Sequence, residues 1–118
     1  MDKNEEKYKK EFNKKMRSFE YKLYDSYDYE PVKKEEKYIE FEYKGDMRKL
    51  KGSSIWVEYK TAGDFYIYFD SPNLERMFKT MVIDDIYEIL DCAMYSKKSL
   101  GKCIDDLINE KGNGLVWK

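Results

Sequence analysis

The segment SIWVEYKTAGDFYIYFD, residues 54–70, contains the two clearest β-strands of the chain and decides its fold class. Apolar and polar residues alternate in SIWVEYK (54–60) and again in DFYIYFD (64–70), which is the period of a strand with one buried face. The short linker TAGD (61–64) predicts an antiparallel hairpin. One predicted face carries Ile55, Val57, Tyr59, Phe65, Ile67 and Phe69, and the other carries Trp56, Glu58, Lys60, Tyr66 and Tyr68.

The chain before this hairpin predicts a long helix, a loop and a further strand. Apolar residues spaced three or four apart over residues 3–25 form the stripe of an amphipathic helix. The segment YDSYDYEPVKKEE (24–36) breaks this pattern, so we expect a loop there. Alternation in KYIEFEYK (37–44) predicts a strand, GD (45–46) a hairpin turn, and MRKLK (47–51) a short return strand.

The chain after the hairpin predicts helices. Ser71 and Pro72 have the residue types of an N-cap and a first helical position. From there to Tyr95, apolar residues lie on nearly all sides of the predicted helix. The capping-box spacing of Asp85 and Glu88 leaves open a break into two helices near Ile83. A further helix near 99–111 ends at GNG (112–114), and we expect the apolar tail LVWK (115–118) to dock on the body.

These elements predict a single α+β domain over residues 1–118. Its order is an N-terminal helix, a three- or four-stranded antiparallel β-meander, and two or three C-terminal helices in a two-layer arrangement. The pattern leaves open whether helices cover one face of the sheet or both.

Composition excludes several kinds of chemistry. The chain has no histidine, so imidazole acid–base catalysis and Ser–His–Asp or Cys–His machinery are absent. Its 23 basic and 24 acidic residues nearly cancel, which argues against a dedicated polyanion binder. Neither a membrane span nor a secretory signal is recognisable. We therefore expect a cytoplasmic protein in which Cys92 and Cys103 are reduced, buried thiols, with no cofactor and no metal. A disulfide that links neighbouring helices is the alternative for the two cysteines.

One pattern suggests an enzyme. Asp46 opening one strand, with Glu58 and Lys60 two apart on the next, resembles the core of the restriction-endonuclease-like nucleases, which implies two acids on Mg²⁺ and a lysine that positions water. Glu-x-Lys occurs five times in this chain, as its Glu and Lys content leads one to expect. A Mg²⁺-dependent nuclease is therefore kept only as an alternative.

Aromatic residues among charges point instead to a binding protein. Trp56, Tyr66 and Tyr68 form a platform if their face of the sheet is uncovered, and Tyr27 and Tyr29 lie in the acidic stretch YDSYDYE (24–30). Trp and Tyr are the residue types that dominate protein interfaces. We expect a non-enzymatic inhibitor or adaptor, monomeric or homodimeric, that occupies a larger protein or ribonucleoprotein. Small domains of this kind are often phage or mobile-element products that block host machinery, as anti-CRISPR proteins do.

A nucleic-acid-binding protein is the second alternative. Lys9, Lys10 and Lys14 on the N-terminal helix could contact phosphates while the sheet aromatics stack on bases. The acids on the same sheet face weaken this interpretation.

Overall fold

The computed structural model describes residues 3–112 and 116–117, and the side chains of residues 4–112. The helices are α1 (Lys3–Tyr27), α2 (Ile83–Tyr95) and α3 (Leu100–Lys111), and a 3-10 helix spans Arg48–Leu50. The strands are β1 (Tyr29–Glu35), β2 (Tyr38–Tyr43), β3 (Ser54–Tyr59), β4 (Phe65–Asp70), β5 (Phe78–Thr80) and β6 (Val116–Trp117). They form one antiparallel sheet in the order β1-β2-β3-β4-β5-β6. The predicted α+β class and element order are confirmed, with six described strands where three or four were expected.

The helix α1 packs an apolar stripe onto the sheet. The stripe consists of Phe12, Met16, Phe19, Leu23 and Tyr27, all buried. The ring of Phe12 lies 4.8 Å from that of Tyr59, and the ring of Phe19 meets Phe41 edge-on at 5.8 Å. The helix ends before Asp28, whose left-handed backbone (φ 60°) turns the chain into β1.

The inner face of the sheet carries the hydrophobic core. Phe41, Ile55, Phe69 and Phe78 are cross-strand neighbours on β2 to β5, and all are fully buried. The same buried cluster includes Ile86, Ile89, Leu90 and Ala93 of α2 and Leu100, Ile104 and Leu107 of α3. Each such side chain stabilises the fold by about 1.5–3 kcal/mol. The three described helices therefore pack on one side of the sheet.

The region between the hairpin and α2 differs from the predicted helix. The Ser71 Oγ accepts a hydrogen bond from the Asn73 N–H (3.1 Å), which makes a local turn instead of a helix cap. The chain then forms β5, in which Phe78 and Thr80 are buried on either side of Lys79. The helix prediction was wrong here because a dense apolar pattern hides the alternation of a three-residue strand. The helix α2 begins at Ile83, where a break between two helices was left open, but a strand precedes it in place of the first helix.

Two segments before the hairpin also differ. The segment 24–36, expected as a loop, contains the end of α1 and the edge strand β1, which pairs with β2 through a bulge between Pro31 and Lys33. Proline fits there because an edge strand tolerates the missing N–H. The segment 47–51, expected as a strand, contains a 3-10 turn that buries Leu50.

Cys92 and Cys103 form a disulfide between α2 and α3, with 5.9 Å between their Cα atoms. The expectation of two reduced thiols was therefore wrong. Both cysteines were predicted to act as small apolar residues inside the helices. The short connection 96–99 brings the two helices together, so the two cysteines face each other.

The chain end is described in part. Gly112 adopts φ 74° after α3, and β6 pairs with β5, so the central two residues of the tail lie on the sheet as expected. The other residues of GNG and LVWK lie outside the described part of the chain. No helix in the described part is long and apolar enough to cross a bilayer.

Candidate interaction face

The sheet has an outer face that no described helix covers. We call it the open face; its residues are Tyr38, Glu40 and Glu42 of β2, Ser54, Trp56 and Glu58 of β3, Tyr66 and Tyr68 of β4, and Lys79 of β5. They point away from the core because strand side chains alternate and their neighbours are the buried residues described above. All except Tyr68 are half-exposed.

A stacked aromatic pair occupies the centre of the open face. Trp56 and Tyr68 are direct cross-strand neighbours, with ring centroids 5.3 Å apart and planes inclined by 12°. Tyr68 is only 5% exposed, so it supports Trp56 and offers little surface of its own. Its burial, and then the nearby Glu58 carboxylate, raise the pKa of the Tyr68 hydroxyl.

Lysines lie over the neighbouring rings. The Lys79 Nζ lies 4.1 Å from the ring centroid of Tyr66 and 5.6 Å from that of Tyr68, and the Lys60 Nζ lies 5.8 Å from Tyr66. Such cation–π contacts hold a long side chain against the ring and leave its charge at the surface. The ring of Tyr66 is therefore partly screened by ammonium groups, and Trp56 offers the freer aromatic surface.

Carboxylates outnumber ammonium groups on and around the open face. The open face and its rim together contain six acids and four bases. The acids are Glu30, Glu35, Glu40, Glu42, Glu58 and Asp70, and the bases are Lys33, Lys44, Lys60 and Lys79. Three lysines form ion pairs within this set, Lys33 with Glu35, Lys44 with Glu42 and Lys60 with Glu58. The surplus charge is therefore negative.

Glu40 is the acid beside the stack. It lies directly across from Trp56, and its Oε1 accepts a hydrogen bond from the Tyr38 hydroxyl (2.5 Å). Burial first, and then this carboxylate, raise the pKa of Tyr38, which therefore stays neutral and holds Glu40 in place. The result is a fixed carboxylate next to a half-buried indole.

Three of the five predicted binding residues are buried, Tyr68 on the open face and two others, Tyr27 and Tyr29, in the core. Tyr27 is 3% exposed and its hydroxyl donates to Asp91 Oδ1 (2.8 Å), while Tyr29 is fully buried with its hydroxyl 2.7 Å from Ser53 Oγ. The idea of an exposed acidic tyrosine loop at 24–30 was wrong, because these tyrosines anchor the junction of α1 and β1 in the core. Trp56 and Tyr66 remain as half-buried aromatics of the open face, and Tyr68 supports Trp56 from below.

The nuclease residues do not come together. Glu58 lies across from Tyr38 at the start of β2, whereas Asp46 follows the far end of that strand. A six-residue strand separates these ends by about 17 Å. Glu58 is instead paired with Lys60 at 3.1 Å, and no cluster of three acids or cysteines that could hold a metal occurs among the described residues.

The lysines of the nucleic-acid alternative lie away from the open face. Lys9, Lys10 and Lys14 belong to α1, which packs on the inner side of the sheet, and Lys9 is engaged in an ion pair with Glu36. They do not form one continuous surface with Trp56. The open-face residue that sequence reasoning missed is Lys79, since its segment was assigned to a helix and a strand of three residues is too short to show its period in the sequence.

The fold and the open face thus define a two-layer α+β protein with an aromatic sheet surface that no described helix covers. Comparison with known proteins adds no relative: no protein-family model matches the chain, and neither a curated protein nor a solved structure does.

Proposed function

We propose that this chain is a non-enzymatic protein-binding module whose open face docks on a larger partner. The observation that carries the proposal is the half-buried Trp56, stacked on Tyr68 at the centre of a sheet face that no described helix covers. An indole on a rigid strand loses little conformational freedom on binding, and Trp and Tyr are the commonest interface hot spots.

The charge of the open face favours a protein with basic groups around a pocket for the indole. Glu40 is fixed beside Trp56 and forms no ion pair with a described lysine or arginine, so it is available to one on the partner. A nucleic-acid partner would bring phosphates against this surplus of carboxylates, and the lysines of α1 lie on the other side of the sheet.

We further propose the biological role of an inhibitor or adaptor, monomeric or homodimeric, in the cytoplasm and of the phage or anti-CRISPR kind. This role rests on the size of the domain and on its aromatic open face. A disulfide is more typical of oxidising compartments, so the thiol state of protein taken from cells bears directly on the cytoplasmic assignment.

A pull-down from source-cell lysate, with and without nuclease, tests the proposal. The face variant is Trp56→Ala/Tyr66→Ala, and the matched control is Tyr21→Ala/Tyr24→Ala, which removes two tyrosines of α1 that are 68% and 60% exposed. We expect a discrete protein that survives nuclease and is retained by the wild type and the control but lost with the face variant. Circular dichroism confirms that both variants are folded. Equal retention by the face variant, or recovery that depends on nucleic acid, would contradict the proposal.

A further inference from the structure

A second surface lies in the helical layer, in the cleft between α1 and the start of α2. The cleft has a volume of about 540 Å³, within the range of ligand-binding pockets. Phe65 and Tyr87 form its floor, Met81 and Val82 one wall, and Lys14 and Lys15 the rim on α1. It shares no residue with the open face.

The wall of this cleft is unusually apolar for a surface. Met81 and Val82 are adjacent in the chain and are each 47% exposed, and Ile83 continues the cleft lining. They stand at the entry to α2 because β5 ends at Thr80, whose Oγ1 accepts from the Val82 N–H and donates to the buried Asp85. The backbone of this turn is thus held with two large apolar side chains facing water. Contiguous exposed apolar surface of this kind marks interaction sites.

The rim of the cleft carries positive charge that the fold does not neutralise. The Lys15 Nζ lies 5.8 Å from the centroid of Phe65, and the Lys22 Nζ lies 4.8 Å from that of Tyr87. Among the described residues no carboxylate forms an ion pair with Lys14, Lys15 or Lys22, whereas Lys9 of the same helix does have such a partner. Among the described residues that line the cleft, Asp84 is the only acid, whereas Lys14 and Lys15 are both basic, so cations predominate there.

We propose that this cleft binds an acidic segment of a partner protein that inserts apolar side chains between α1 and α2. The apolar anchor would pack on Met81, Val82 and the floor, and flanking Asp or Glu residues would pair with the rim lysines. The charge is opposite to that of the open face, so a segment that suits one surface is disfavoured on the other. A chain with two such surfaces can bridge two partners. This inference stands independently of the function proposed for the open face.

The probe is a fluorescein-labelled helical peptide with leucines at i, i+4 and i+7 and glutamates at the other positions, compared with the same peptide carrying lysines instead. Binding is followed by fluorescence anisotropy over a series of salt concentrations. The cleft variant is Lys14→Glu/Lys15→Glu. The control is Lys51→Glu/Lys97→Glu, which changes the net charge equally at two exposed lysines outside the cleft. A second variant, Met81→Ser/Val82→Ser, removes the apolar wall and keeps the charges.

We expect the acidic peptide to bind and to weaken as salt rises, and the lysine peptide not to bind. Both cleft variants should weaken binding by about tenfold, and the control by less than about threefold. An equal loss of affinity in the control would mean that net charge alone causes the effect, and this would overturn the proposal. Two other occupants would also overturn it. One is binding to phosphatidylglycerol–phosphatidylcholine vesicles that the acidic peptide does not displace, and the other is self-association in light scattering that Lys14→Glu/Lys15→Glu abolishes.

Discussion

Lys49 closes the C-terminal end of α2 from a distant part of the chain. Its Nζ donates to the backbone carbonyls of Ala93 (3.1 Å), Ser96 (2.9 Å) and Lys98 (2.6 Å). The last carbonyls of a helix have no partner within the helix, and a cation at that end also interacts favourably with the helix dipole. One ammonium thus joins the 3-10 turn before β3 to the connection between α2 and α3.

The contribution of this ammonium follows from its contacts. A hydrogen bond with a charged donor contributes about 1.5–3 kcal/mol, and the helix dipole adds about 0.5 kcal/mol. The three bonds share the desolvation of one ammonium, and the bond to Lys98 is exposed, so they are not additive. We expect Lys49→Met, which keeps the aliphatic stem, to lower the free energy of unfolding by about 2 kcal/mol and the Tm by about 8 °C.

Urea denaturation followed by circular dichroism measures this change. The control is Lys51→Met, since Lys51 is exposed and only its backbone N–H, which the substitution keeps, forms a hydrogen bond among the described residues. The m-value should stay the same, because the core is unchanged. If Lys49→Met and Lys51→Met differ by less than about 0.5 kcal/mol, the reasoning about the helix end is wrong.

Three further predictions concern covalent and titratable groups. The variant Cys92→Ser/Cys103→Ser should lose about 2–3 kcal/mol relative to the oxidised wild type and match the wild type in dithiothreitol, because the disulfide closes a short loop. The Glu5 carboxylate accepts hydrogen bonds from the Tyr59 hydroxyl (2.6 Å) and the Ala62 N–H (2.9 Å), which lower its pKa below the ordinary 4.5. The contribution of Glu5 to folding stability is therefore present above pH 4.5 and is lost as the pH falls through the lowered pKa. The decrease of the urea midpoint at acid pH should be smaller in Glu5→Gln than in the control variant Glu6→Gln. Burial raises the pKa of Tyr29 above the ordinary 10.0, so stability should fall as pH rises past 10.0, and this fall should be smaller in Tyr29→Phe, measured by alkaline urea titrations.

The parts of the fold that a local period describes could be predicted from the sequence. Alternation in 54–70 gave both strands and placed Ile55, Val57 and Phe69 on the buried face, where they are 0% exposed. The stripe of α1 was equally readable, because its apolar residues recur at helical spacing. These signals come from residues close together in the chain, so they need no tertiary information.

The predictions that were wrong concern features that depend on contacts between distant residues. The three residues of β5 are too few to show a period, and they form a strand because Phe78 pairs with Phe69 and with Trp117 of β6. Tyr27 continues the stripe of α1 four residues after Leu23, but the carboxylate that accepts its hydroxyl hydrogen bond lies 64 residues away and could not be predicted. Tyrosine is apolar along its ring and polar at its tip, so it suits either environment.

In the candidate site, too, the local sequence pattern predicts some features and contacts between distant residues decide the others. The sequence placed Trp56, Tyr66 and Tyr68 on one face, but whether helices cover that face is decided by how the three helices pack. Tyr68 is buried on the open face, where it stacks on Trp56, and the pairing of β5 with β4, which the sequence did not predict, brings Lys79 next to it.

The most direct test of the proposed function is calorimetric titration of the partner recovered in the pull-down against wild type, Trp56→Ala and Tyr21→Ala. The account predicts that Trp56→Ala weakens binding by about 30-fold, the effect of a hot-spot residue, and that Tyr21→Ala changes it by less than about threefold. Equal affinities of all three proteins would show that the open face is not the interface and would contradict the account.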